Sequence, residues 1–357
     1  MRVAIALLFC ATAWTQTAPK QINVPASPDQ PWTDTGVDVR LGDTLVITAD
    51  GTLTLPQGKS CDPGGQTRGF RDLLKAYPVN DAGLGALIGR IGSSDASVPF
   101  LVGATKAVEV RRAGRLFLGV NMTTESVEGS FRATITFTVR GPEKPRAVSY
   151  KLPNVTREMI DRIPRRVTDA DGDPGDNTNF VLVGAEKNVT GAFKAAGWMQ
   201  VDKDTRAAFL DGLLETLNKQ SYVEMPMSIL TLFGRPQDYG MAHAVPLQVV
   251  AQRHHLRLWK APFAVESQEI WVGAATHDVG FDRDNRPGKR ITHKIDPDID
   301  LEREFVGRSL DETGLVAREI YIIPSDPSKE ARTATGASFH SDGRVLVIYL
   351  IPQNSAN

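Results

Sequence analysis

The chain has 357 residues, of which 41% are hydrophobic and 23% charged, and its formal net charge is −1. That length suffices for two separate cores, and the composition is that of a folded chain rather than a disordered one. Near-neutral charge excludes the broad basic footprint of a nucleic-acid binder or of a protein held to anionic membrane by charge alone.

The opening MRVAIALLFCATAW has one basic residue, an apolar run too short to span a bilayer, and the small-x-small pair Ala11 and Ala13. Residues 1–18 are therefore read as a signal segment for export to the periplasm or the exterior. Its removal takes Cys10 away and leaves Cys61 alone, so no intramolecular disulfide is available. No later run is long and apolar enough for an integral membrane span in the mature chain.

Residues 22–138 carry short β-type runs broken by Gly, Asp and Pro: DTLVITADGTL, VPFLVGA, RLFLGVN and FRATITFTV. Their alternation of apolar and polar residues predicts an all-β sandwich. The Gly42–Asp43 pair, the run GALIGRIG and the Gly-x-Leu-x-Leu strand starting at Gly114 occur in the order found in PA-I-type galactophilic lectins, which this segment resembles. The resemblance implies a carbohydrate-binding β-sandwich that uses calcium, with saccharide or another envelope polymer as partner; it assigns no carbohydrate-contacting residue here. Calcium needs six or more oxygen ligands. At the family's ligand positions this chain has Met122 after Asn121, then Ser126 and Val127, so the resemblance also implies that the calcium site is lost. Glu125, Glu128, Thr123 and Thr124 remain as oxygen donors, and no cofactor is assigned.

RGPEKPRAVSYKLPNV, within the stretch 139–160, reads as a proline-rich linker. Residues 161–357 change character. TREMIDRIPRR is a short helix stopped by Pro164. The run 202–220 is a longer one, capped by Asp204 or Thr205, with Phe209, Leu213, Leu214 and Leu217 as its apolar stripe. Strand-like runs follow: SILTLFG, LQVVAQRHHLRLW, EIWVGAATHDVGF, LVAREIYIIP and RVLVIYLIP. Helices followed by consecutive strands predict an α+β domain with a mainly antiparallel sheet.

Three charged motifs in this domain bear on chemistry. On a strand, RHHLRLW puts Arg253, His255, Arg257 and Trp259 on one face and His254, Leu256 and Leu258 on the other. The first face could recognise an anion through guanidinium forks, or be an ordinary salt-bridged sheet face. In THKIDPDIDLERE, Asp296 fits a helix N-cap with Pro297 in the first turn, and Asp298 and Asp300 favour the helix dipole. His293 stands outside that cap and is a candidate acid–base residue together with His255, Asp296 and Asp300. DADGDPGDN alternates aspartates as a calcium loop does, but Pro174 replaces the turn glycine and Phe180 the closing glutamate, so it is read as a turn. No metal ligand set is assigned.

GDPGDNTNFVLVG, AFKAAGW, RHHLRLW with WVGAATHD, and THKIDPDIDLERE, spread over about residues 165–325, resemble the LssY C-terminal domain family. That resemblance implies a fold family and no particular reaction. Two functions follow as expectations. One is an exported, envelope-associated binding protein with an anion-recognising face at Arg253, Arg257 and Trp259. The other is a hydrolase of a phosphorylated or glycosidic envelope component, using His293, His255, Asp296 and Asp300.

Overall fold

A computed structural model describes residues 18–67, 77–79, 81–122, 127–142, 150–200, 229–244, 253–282, 292–334 and 336–352. Residues 1–17 of the expected signal segment, the oxygen donors at 123–125, Ser126, residues 143–149 of the linker and the helix at 202–220 lie outside the described residues.

The first domain is two antiparallel sheets face to face. One is ordered β1 (Lys20–Pro25), β9 (Glu128–Val139), β3 (Thr44–Thr54), β4 (Ser60–Cys61), with β7 (Thr105–Glu109) also on β3. The other is ordered β2 (Trp32–Val39), β8 (Gly114–Val120), β5 (Leu87–Ile91), β6 (Phe100–Leu101). Alternate residues of each strand meet in one core: Leu45 and Ile47 from β3, Phe131 and Ala133 from β9, Leu116 and Leu118 from β8. The Gly42–Asp43 pair is a lock at the sandwich edge. Gly42 has φ +83°, and the buried Asp43 carboxylate accepts from the backbone N–H groups of Arg40 and Gly141 and from the Arg140 guanidinium. Met122 and Val127 belong to the apolar core. Asn121 is fully buried and bonds to the backbone of Val79, Ala82 and Gly83.

The second domain is built on a twisted sheet ordered β13 (Met199–Gln200), β16 (Tyr239–Ala244), β17 (Arg253–Val265), β18 (Gln268–Asp282), β12 (Phe180–Val183), β23 (Val345–Leu350), β20 (Val316–Ile322). β19 (Thr292–Ile295) pairs with the far end of β18. Among these pairs only β12 with β23 is parallel. Both faces are covered, so β12 and β23 are buried along their whole length. Helices α2 (Glu186–Ala195) and α3 (Ile299–Asp311) pack on one face. The other face is covered by α1 (Arg157–Asp161) and by a small sheet of β10 (Arg166–Thr168), β11 (Pro174–Asn177), β14 (Thr231–Leu232) and β15 (Arg235–Pro236). A hairpin of β21 (Glu330–Arg332) and β22 (Ser338–His340) completes the set.

The DADGDPGDN stretch is the β10–β11 turn: Asp169 Oδ1 accepts from the N–H groups of Asp171 and Asp173. The cap of α3 corrects the sequence reading by one turn position. Asp298, rather than Asp296, is the N-cap, accepting from Asp300 N–H, and Pro297 precedes the cap. Asp296 instead accepts from Asp298 N–H, so the two aspartates form successive turns leading into the helix.

The domains meet through a core contact. Ala96, on the turn after β5, is fully buried and belongs to the second domain's apolar cluster, which also holds Phe193, Trp198 and Phe305. Arg112 pairs with Asp311 at 2.8 Å and Arg308 with Asp95 at 3.4 Å around it.

Candidate functional site

Strands β17 and β18 alternate as the sequence predicts, and each face carries its own polar cluster. Leu256, Leu258, Trp271 and Ala275 face the helices, while Trp259, Val272 and Ala274 face the small sheet. His254 and His255 therefore serve opposite faces, as do His277 and Asp278.

On the small-sheet face, His255 Nε2 lies 2.8 Å from Thr276 Oγ1, and its Nδ1 is 3.5 Å from Asp278 Oδ2. Thr276 is its direct cross-strand partner. Arg257, 6% exposed, reaches Asp176 Oδ2 at 3.3 Å. Burial raises the Asp176 carboxyl above its ordinary pKa, and Arg257 opposes that rise. The expected anion row is thus corrected in two places. Arg257 is buried and already pairs with an internal acid. Trp259 is fully buried in the apolar cluster and is a packing residue, not a plate for a ligand. Arg253 stands opposite Asp278 in register, and its side chain lies outside what the structure describes.

On the helix face, His243, His254 and His277 are register partners across β16, β17 and β18. Asp296 N–H donates to the His277 carbonyl, which brings the end of the THKIDPDIDLERE motif to the same row. From above, α3 delivers Glu302, 1% exposed, with Oε2 2.5 Å from His254 Nδ1. The His254 ring is stacked between His277, at 4.4 Å, and Phe305. Burial drives His254 down to about 4 and pushes the Glu302 carboxyl well above its usual range, with Asp278 adding to the latter. Burial also lowers His277, and His254 adds to that.

The described side chains of the remaining predicted residues lie apart from one another. Asp300 pairs with Arg303 at 3.0 Å and accepts from Ser341 and Asp342, so it anchors α3 and orients no histidine. His293 lies on β19 opposite Phe281, and its side chain is outside the described atoms. His255 is on the other face of the sheet. Glu302, His243, His254 and His277 went unselected because positions 243, 254, 277 and 302 show no compact ligand spacing. The signal available was that a histidine occurs in each of three neighbouring strands.

Among solved structures, the N-terminal domain of EclA, described as a PllA-like lectin, is similar to part of this chain. The identity is 20% and the TM-score 0.26, covering 33% of this chain and 94% of that one. No curated protein sequence matches. Residues 160–345, more than half of the chain and including both polar clusters, match the family model described as LssY C-terminus. The chain belongs to the LssY C-terminus family.

Proposed function

We propose that this is an exported, envelope-associated binding protein whose N-terminal sandwich engages a saccharide or another surface polymer. The LssY-type domain is the body that holds the sandwich in place. The supporting observation is the docking: Ala96 is part of the second domain's core, so the sandwich is fixed on its partner and not merely tethered. The saccharide class comes from the sequence resemblance. Calcium is left out of the reading, since hydrophobic Met122 and Val127 sit in the core where the family supplies ligands. The anion-recognising face is left out as well, because Arg257 is committed to Asp176.

A second reading, a hydrolase, is favoured by the hydroxyl–imidazole–carboxylate order Thr276–His255–Asp278, in which His255 would take the hydroxyl proton. One panel of glycans and phosphorylated envelope fragments tests both. The full chain is expected to bind one glycan class equally in calcium and in EGTA; a flat array in both overturns the binding reading. Release of cleaved product that Thr276→Val abolishes would support hydrolysis, and no release removes it.

A further inference from the structure

The helix-face cluster has a chemistry that the binding reading does not use. His254, His277 and Glu302 each offer a ligand atom, and the three atoms lie within 4.8 Å of one another. They come from three elements, the paired strands β17 and β18 and the helix α3. The helix itself is bolted by Arg303, 1% exposed, which bonds Asp300, Glu304 and Asp342. Among the described residues, Glu302 Oε1 and His277 Nε2 have no hydrogen-bond partner, although Glu302 is only 1% exposed. A plain His–Glu hydrogen bond explains the Oε2 contact and leaves those two atoms unanswered. Buried polar atoms are normally answered.

We propose that His254, His277 and Glu302 form a binding site for a single divalent transition-metal ion, zinc being the first candidate. Two imidazoles and one carboxylate suit zinc and its neighbours, whereas calcium and magnesium prefer all-oxygen shells. Three protein ligands leave one tetrahedral position, which water fills. Zinc sits about 2.0–2.2 Å from such ligands, which sets ligand atoms roughly 3.3 Å apart. The His254–Glu302 contact therefore opens slightly on binding and the wider separations close.

The surroundings agree with a cation. Among the described residues, Asp278, Asp296 and Asp95 act on Glu302 as negative charges and Arg308 as a positive one. Trp198 and Phe305 surround the row with aromatic edges, and His243 is the next ring along it, 6.2 Å from His254.

The test uses the untagged full chain, stripped with chelator and titrated with Zn²⁺ and Co²⁺ in separate arms. About one equivalent per chain is expected, with the intense visible Co²⁺ bands of a low-coordinate site and a raised thermal midpoint. Glu302→Gln and His277→Asn are each expected to weaken binding by about 100-fold or more, while His340→Asn, at an exposed histidine, changes nothing. Less than about a tenth of an equivalent in folded wild type overturns the proposal. So does undiminished affinity in the two variants, which would place the metal elsewhere. If Glu302→Gln fails to fold, His277→Asn decides, because that residue is only partly buried. No saccharide enters this measurement, so its failure leaves the binding reading standing, and a flat glycan array leaves the metal site standing.

Discussion

Glu302 and His254 are held neutral by the same burial, yet they respond to pH in opposite directions. Glu302 keeps its proton when folded and releases it when unfolded. Its contribution to stability therefore falls as pH rises above the unfolded value of 4.5. His254 refuses a proton until about pH 4, whereas the unfolded chain accepts one near 6.5, so stability is lost as pH drops through that interval. Glu302→Gln removes the first effect and keeps the second. In chelator, urea midpoints should show the variant gaining on wild type as pH rises above 4.5, by a margin that shifts in its favour with pH. It should still weaken between pH 6.5 and 4. A margin that does not change with pH would show that this carboxyl is not the titrating group. Saturating zinc should favour wild type, because the anionic carboxylate is a far stronger zinc ligand than the glutamine amide.

At the scale of elements, β18 shows why small residues sit in an otherwise bulky strand. The Phe180 ring lies flat over Gly273, its register partner, and a Cβ at Gly273 would come within 2.0 Å of that ring. Gly273→Ala should cost about 3 kcal/mol or more by overpacking, read from the urea midpoint. A loss below about 1 kcal/mol would mean that the ring can move aside. Strand alternation, the β-sandwich and the antiparallel core of the second domain were all legible in the sequence, since periodicity reports directly which face is buried. The α3 cap was misplaced because Asp296 and Asp298 are both good turn formers flanking Pro297, and only the backbone shows which one starts the helix. The histidine row was not legible. Its register depends on which strands become neighbours, and Glu302 reaches it only after α3 has docked. Trp259 was misjudged for a related reason: alternation placed it on the correct face but could not say that the small sheet covers that face.

For the whole molecule, the decisive residue is one of the smallest. Ala96→Asp would place an unpaired carboxylate in the second domain's core, costing roughly 2–4 kcal/mol and favouring separation of the domains. Calorimetry is expected to show two transitions for the variant, and solution scattering a larger radius of gyration with unchanged strand content. A midpoint and radius equal to wild type would show that the contact is incidental.

The same contact limits how this architecture can be rebuilt. Domains joined only by a linker can be exchanged between genes like cassettes, because neither one completes the other. Here the turn after β5 supplies a core residue to its neighbour, so the second domain of this chain is not a finished object without the first. A version released from the sandwich would need a compensating change at the surface that Ala96 covers. Trp198, Phe305 and Phe193, which share an apolar cluster with Ala96, are positions where such a change should be sought.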